Sequence, residues 1–134
     1  MQNLYRIALI AHDDKKDELI EFIISNLTFF VSDKLELIST ATTGSKIQEL
    51  GLNITCLNSG PMGGDLQIAS RVVEGKCDVV LFFRDPLKSH PHDTDIASLL
   101  RACDVYNIPI ATNPASADFL IRSINAEISA SSAY

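Results

Sequence analysis

Apolar and polar positions alternate along this chain in two distinct rhythms. YRIALIA, residues 5–11, is a short β-branched and aliphatic run of strand type. Behind it Leu19, Ile20, Ile23, Ile24 and Leu27 recur at helical spacing, with Asp13 or Asp14 placed to cap the helix. LELIST is the second strand, ATTG opens a short helix around Ile47 to Leu50, and Asn53 to Leu57 is the third strand. The helix GDLQIASRVVEGK ends at Gly75, and CDVVLFF is a near-continuous apolar strand of the kind buried on both faces. DIASLLRACDVYN is again helical, IPIAT supplies a fifth strand, and a closing helix starts at about Ser116. Strand and helix in strict alternation predict an α/β fold. The expectation is a single three-layer domain over residues 1–134, a five-stranded, mainly parallel sheet of Rossmann type flanked by helices and joined by right-handed crossovers.

Open parallel sheets bind ligands beyond the carboxyl ends of their strands. The segments that fall there are AHDDKK, STATTG, NSGPMGGD, RDPLKSHPHDTD and TNPASAD, which hold nearly all the chemically able side chains. The opposite connections, VSDK, LGLN, EGK and VYN, are ordinary solvated turns. This asymmetry points to one ligand site on one edge.

Composition narrows the ligand. Seventeen acidic against eleven basic side chains leave a net charge of -6, which argues against nucleic acid, although a small anion still fits at one local site. Leu4 to Ala11 is too short for a membrane span and is interrupted by Arg6, so the expectation is a cytoplasmic protein with no membrane association. Cys56, Cys77 and Cys103 are odd in number and each adjoins an apolar run, which predicts three reduced core cysteines and no disulfide. Only the terminal ISASSAY is expected to fray.

Within the chemical edge, SGPMGGD is either a tight turn entering a helix, with Asp65 as a favourable first-turn acid, or an anion cradle of backbone amides at a helix start. STATTG adds hydroxyls that suit a helix cap equally well. In HPHDTD, Pro91 separates His90 from His92 and breaks the spacing of a preformed helical metal site, while Asp93 and Asp95 can cap the following helix. Capping leaves His92 unexplained. A histidine beside one carboxylate and opposite another suits proton transfer next to a carbonyl, with one group removing a proton and another polarising oxygen.

Taken together and in order, AHD, TATTG, SGPMGGD, FFRDPL, PHDTD and ATNPASADF resemble the methylglyoxal synthase family over nearly the whole chain. The resemblance implies a cofactor-free, metal-independent lyase that converts dihydroxyacetone phosphate to methylglyoxal and inorganic phosphate. It implies Asp65 as the base, with His92 and Asp95 assisting, and substrate held by His12, Lys16, Thr40, Thr42, Thr43, Ser59, Gly60 and Asp85. It further implies a homohexamer, with phosphate as product and candidate inhibitor. Ala41 and Arg84 depart from the family pattern, which leads one to expect a glycine and an aromatic residue there. The family tail beyond ADFLIRS, with its arginine, is also expected to be missing. The same fold serves as an effector-binding module, and a metal-dependent hydrolase using His90 and His92 is a second alternative.

Overall fold

The computed structural model describes residues 4–132 and consists of one parallel sheet with helices on both faces. Its strands are β1 (Tyr5–Ala11), β2 (Leu35–Ser39), β3 (Ile54–Cys56), β4 (Val79–Phe83) and β5 (Ile110–Ala111), in the order β3-β2-β1-β4-β5. Every pairing is parallel. The helices are α1 (Lys16–Ser25), α2 (Leu27–Phe30), α3 (Ala41–Gln48), α4 (Gly64–Val73), α5 (Asp93–Val105) and α6 (Pro114–Ser132). Short 3-10 turns at Asp13–Lys15 and Gly60–Met62 follow β1 and precede α4.

Alternation along the central strands divides the core in two. Ile7, Leu9 and Ala11 of β1 and Val79, Leu81 and Phe83 of β4 face α1, α2, α3 and α6, meeting Leu19, Ile23, Phe30, Ile47 and Ile121. Ala8, Ile10, Val80 and Phe82 face α4 and α5, meeting Ile68, Val72, Ile96 and Leu99. All five residues of VVLFF are buried, and each such side chain contributes about 1.5–3 kcal/mol over leaving it in water. At the far end of the sheet the Arg6 backbone N–H and guanidinium both donate to the Asp78 carboxylate, at 2.8, 3.1 and 3.2 Å, clamping β1 to the start of β4.

Several expectations are corrected in detail. The helix after β2 starts at Ala41, inside the threonine segment, because Thr43 and Ile47 lie one turn apart on a buried face; Leu50 is already in the following turn. Neither Asp13 nor Asp14 caps α1 with its side chain; they pair with Lys16 and Lys88 instead. The periodic run to Leu27 is broken at Asn26, and Ile24 and Leu27 are exposed. Cys56 is not a core residue, since it ends the edge strand and is exposed, while Cys77 and Cys103 are buried as expected. The closing helix starts at Pro114, with the Asn113 side-chain oxygen accepting from the Ser116 N–H at 2.9 Å as an N-cap does. That helix runs on to Ser132, with Ile124 buried in the core and Ile128 packed against it; Ala133 and Tyr134, the end of ISASSAY, lie outside the described residues. No helix among the described residues is long and apolar enough to cross a membrane.

Candidate active site

β1 lies between β2 and β4, so chain connections diverge to either side of it, and the loops after β1, β2, β3 and β4 converge at that divide. They enclose a cavity of about 210 Å³. Its wall includes His12, Lys16, Thr40, Thr42, Ser59, Gly60, Asp65, His90 and His92, with Phe82 beneath.

Asp65 sits in the first turn of α4 and is fully buried. Gly63, at φ 98°, turns the chain from the 3-10 turn into that helix, a conformation that favours glycine. Gly64 is pressed against the Asn58 carbonyl and the Thr40 methyl, so a side chain there would collide with the backbone that enters the glycine turn and with Thr40. Neither carboxylate oxygen of Asp65 has a hydrogen-bond partner within the protein. Nε2 of His92 stands 3.5 Å from Oδ2, too far for a good bond. Burial raises the Asp65 pKa above the usual aspartate value; His92 and His90 oppose the rise and Asp95 adds to it. The result is a water-starved carboxylate of increased basicity.

His12 follows β1 and is buried beside Phe82, ring centroids 5.0 Å apart. The Asp85 backbone N–H donates to its Nδ1 at 2.8 Å, which leaves Nε2 as the protonated nitrogen of the neutral ring. That Nε2 is buried without a partner. Its pKa is lowered to about 4, first by burial and then by His90, His92 and Arg84, so the ring stays neutral near pH 7 and offers an N–H to the cavity. His92 precedes α5 and rests on Gly60, whose missing side chain gives the ring its seat. Lys16 pairs with the exposed Asp13 while its own side chain is largely buried in the wall.

Of the residues singled out from sequence, His12, Lys16, Thr40, Thr42, Ser59, Gly60, Asp65 and His92 share the cavity. Thr43 does not reach the wall; its hydroxyl is buried below it without a partner. Asp95, half-buried in the first turn of α5, does not line the cavity and meets Asp65 only through its charge. Asp85 lines a neighbouring cavity, where its carboxylate accepts from the Leu87 N–H at 3.0 Å, and it serves the site through its backbone. His90 was missed except as a metal ligand. Its ring stacks on His12 at 3.8 Å, a proximity that nothing in the spacing of residues 12 and 90 reveals. Among the described residues no group of three or more His, Cys, Asp and Glu is arranged to hold a metal ion.

Residues 21–112 match the family described as MGS-like domain. The chain is 53% identical over 118 residues to a methylglyoxal synthase of Clostridium botulinum (strain Alaska E43 / Type E3), covering 87% of this chain and 98% of that protein. It is 50% identical over 123 residues to a methylglyoxal synthase of Carboxydothermus hydrogenoformans, covering 91% of this chain and 100% of that protein. The crystal structure of methylglyoxal synthase from Elizabethkingia anophelis NUHP1 superposes with a TM-score of 0.81 at 39% identity, over 90% of this chain and 79% of the other. A parallel sheet of this order, a buried carboxylate among donors at its divide, and likeness over nearly the full length lead to one conclusion: the chain belongs to the methylglyoxal synthase family.

Proposed function

We propose that this chain is a metal-independent carbon-oxygen lyase that takes dihydroxyacetone phosphate to methylglyoxal and inorganic phosphate. The observation that carries this reading is Asp65: a fully buried carboxylate with neither oxygen hydrogen-bonded, in a cavity whose other groups are mostly donors.

In this reaction Asp65 removes a proton from the hydroxymethyl carbon of the substrate, and the electron pair of the broken C–H bond forms the enediolate. His12, through its Nε2–H, and His92 donate to the oxygens on which the negative charge develops. The enediolate then expels phosphate by cleaving the C–O bond at the far carbon, and the enol product takes up a proton to become methylglyoxal. Asp95, close enough to raise the Asp65 pKa by its charge, relays protons behind His92. Lys16, Thr40, Thr42, Ser59 and the amide of Gly60 hold the phosphate, with Thr43 supporting the threonine helix beneath them and Asp85 fixing His12. Holding the C–O bond out of the enediolate plane favours elimination over isomerisation.

The wider reading is a single domain over residues 1–134, acting in the cytoplasm as a homohexamer, opening a bypass of glycolysis and inhibited by its phosphate product. The test is to incubate the purified chain with dihydroxyacetone phosphate and EDTA and to follow methylglyoxal and phosphate together. Equal molar release supports the lyase. Binding of phosphate esters without release supports an effector-binding module instead, and activity that appears only with added metal supports a hydrolase. Size-exclusion chromatography with light scattering tests the hexamer.

A further inference from the structure

We infer that His90 is a positioning residue for His12, its ring lying flat on that of His12 so that the His12 Nε2–H faces the substrate cavity and water is kept from the other side. The two rings are stacked, 3.8 Å between centroids and 18° between planes. Both line the substrate cavity of about 210 Å³ and a neighbouring cavity of about 260 Å³, which is walled also by Arg84, Asp85, Lys88 and Asp93. The stacked imidazoles therefore form part of the partition between the two. Removing the His90 ring joins the cavities and opens one face of His12 to solvent.

His90 is itself held. Its backbone N–H donates to Asp93 Oδ2 at 3.1 Å, its carbonyl accepts from the Asp93 N–H at 3.2 Å, and its Nδ1 lies 3.7 Å from Asp93 Oδ1. The other edge of His12 is held by the Asp85 N–H and by Phe82. His12 is thus fixed from three directions, and only the Nε2 side is left toward substrate. The groups facing His12 are His90, His92, Arg84 and Asp85 from the segment after β4 and Asp13 from its own turn. Those facing His90 are Asp93 and His92 nearby, with Asp14 and Asp65 interacting through charge. Burial is the leading cause that lowers the His12 pKa to about 4, so loss of the stack lets it climb toward the ordinary value near 6.5.

The kinetic part of this inference rests on the lyase reading; the spectroscopic part does not. The experiment compares wild type, His90→Ala and His90→Phe, the last keeping a flat ring but no nitrogen. Imidazole 15N NMR reads the His12 tautomer and its titration, and kcat/KM is measured from pH 5 to 8. In wild type and His90→Phe, His12 shows a fixed Nε2–H tautomer and does not titrate above pH 5, so the acid limb of kcat/KM in both is that of the other site groups. In His90→Ala, His12 titrates upward, and for a fully restored value near 6.5 the ratio of kcat/KM at pH 5.5 to that at pH 8 falls about tenfold below the same ratio in wild type. Wild-type His12 signals in His90→Ala would overturn the inference, and so would His90→Phe behaving like His90→Ala. Absence of turnover in wild type would sink the lyase reading, while the NMR comparison would still decide the role of His90.

Discussion

Gly60 lies in the 3-10 turn Gly60–Met62 and outside the left-handed region, so alanine can adopt its backbone and keep its amide N–H. A methyl group there would stand 2.8 Å from Nε2 and 3.1 Å from Cδ2 of His92. Ordinary contact needs about 3.5 Å, so the imidazole must retreat by roughly half an ångström or more. That ring holds its Nε2 3.5 Å from the Asp65 carboxylate, and a misplacement of about 1 Å in a reacting constellation costs on the order of 100-fold. Gly60→Ala is therefore expected to lower kcat by about 10- to 100-fold, with thermal stability reduced by roughly 1–3 kcal/mol from overpacking. Inhibition by phosphate, proposed above to be held by the Gly60 amide that alanine retains, is expected to change by less than threefold. Steady-state kinetics, phosphate inhibition constants and thermal melts of Gly60→Ala, His92→Ala and the double variant measure each part. If the methyl acts through His92, adding Gly60→Ala to His92→Ala costs little further. Full kcat in Gly60→Ala, or a loss that simply multiplies in the double variant, would show that the methyl does not act through His92.

The low pKa of His12, about 4 against 6.5 unfolded, has a defined sign: between these values the unfolded chain binds the extra proton, so stability falls as pH falls through that window. Urea unfolding should lose about 2 kcal/mol from this group between pH 7 and pH 5, a loss absent in His12→Gln. Asp65 works the other way. Its raised pKa stabilises the fold below the unfolded carboxylate value and gives that stability up as pH rises through the folded one, so Asp65→Asn should gain on wild type as pH rises above the usual aspartate range in parallel melts. Lys16→Met should weaken phosphate inhibition by tenfold or more while leaving the melting temperature within a few degrees, because the partner it loses, Asp13, is exposed.

What could be read in advance followed from rules that act locally. VVLFF is apolar on both faces because β4 is central and covered on both sides, and that pattern is visible without any partner. The parallel sheet and its chemical edge follow from the same alternation. Cys56 misled because edge and central strands look alike in sequence when they are only a few residues long. The start of α3 misled because Thr43 is polar and yet buried, so periodicity of apolar residues alone underestimates the helix. The place of Asp65 and His92 in the cavity wall was legible from the types of residue beside them, since a carboxylate in a glycine turn and a histidine among acids are chemically unusual. The contact between His90 and His12 was not, because it depends on how the segment after β4 folds back over the end of β1. Asp85 illustrates the same limit: its side chain suggested an acid, and its backbone N–H is what touches the site.

The most direct test of the account is proton removal by Asp65 itself. Dihydroxyacetone phosphate deuterated at the hydroxymethyl carbon, given to wild type and Asp65→Asn, lets deuterium loss from that carbon and phosphate release be followed in one sample. The account predicts one deuterium lost for each phosphate released by wild type, and both rates down by about 10²- to 10⁴-fold in a folded Asp65→Asn. Deuterium loss at the wild-type rate in Asp65→Asn would contradict it.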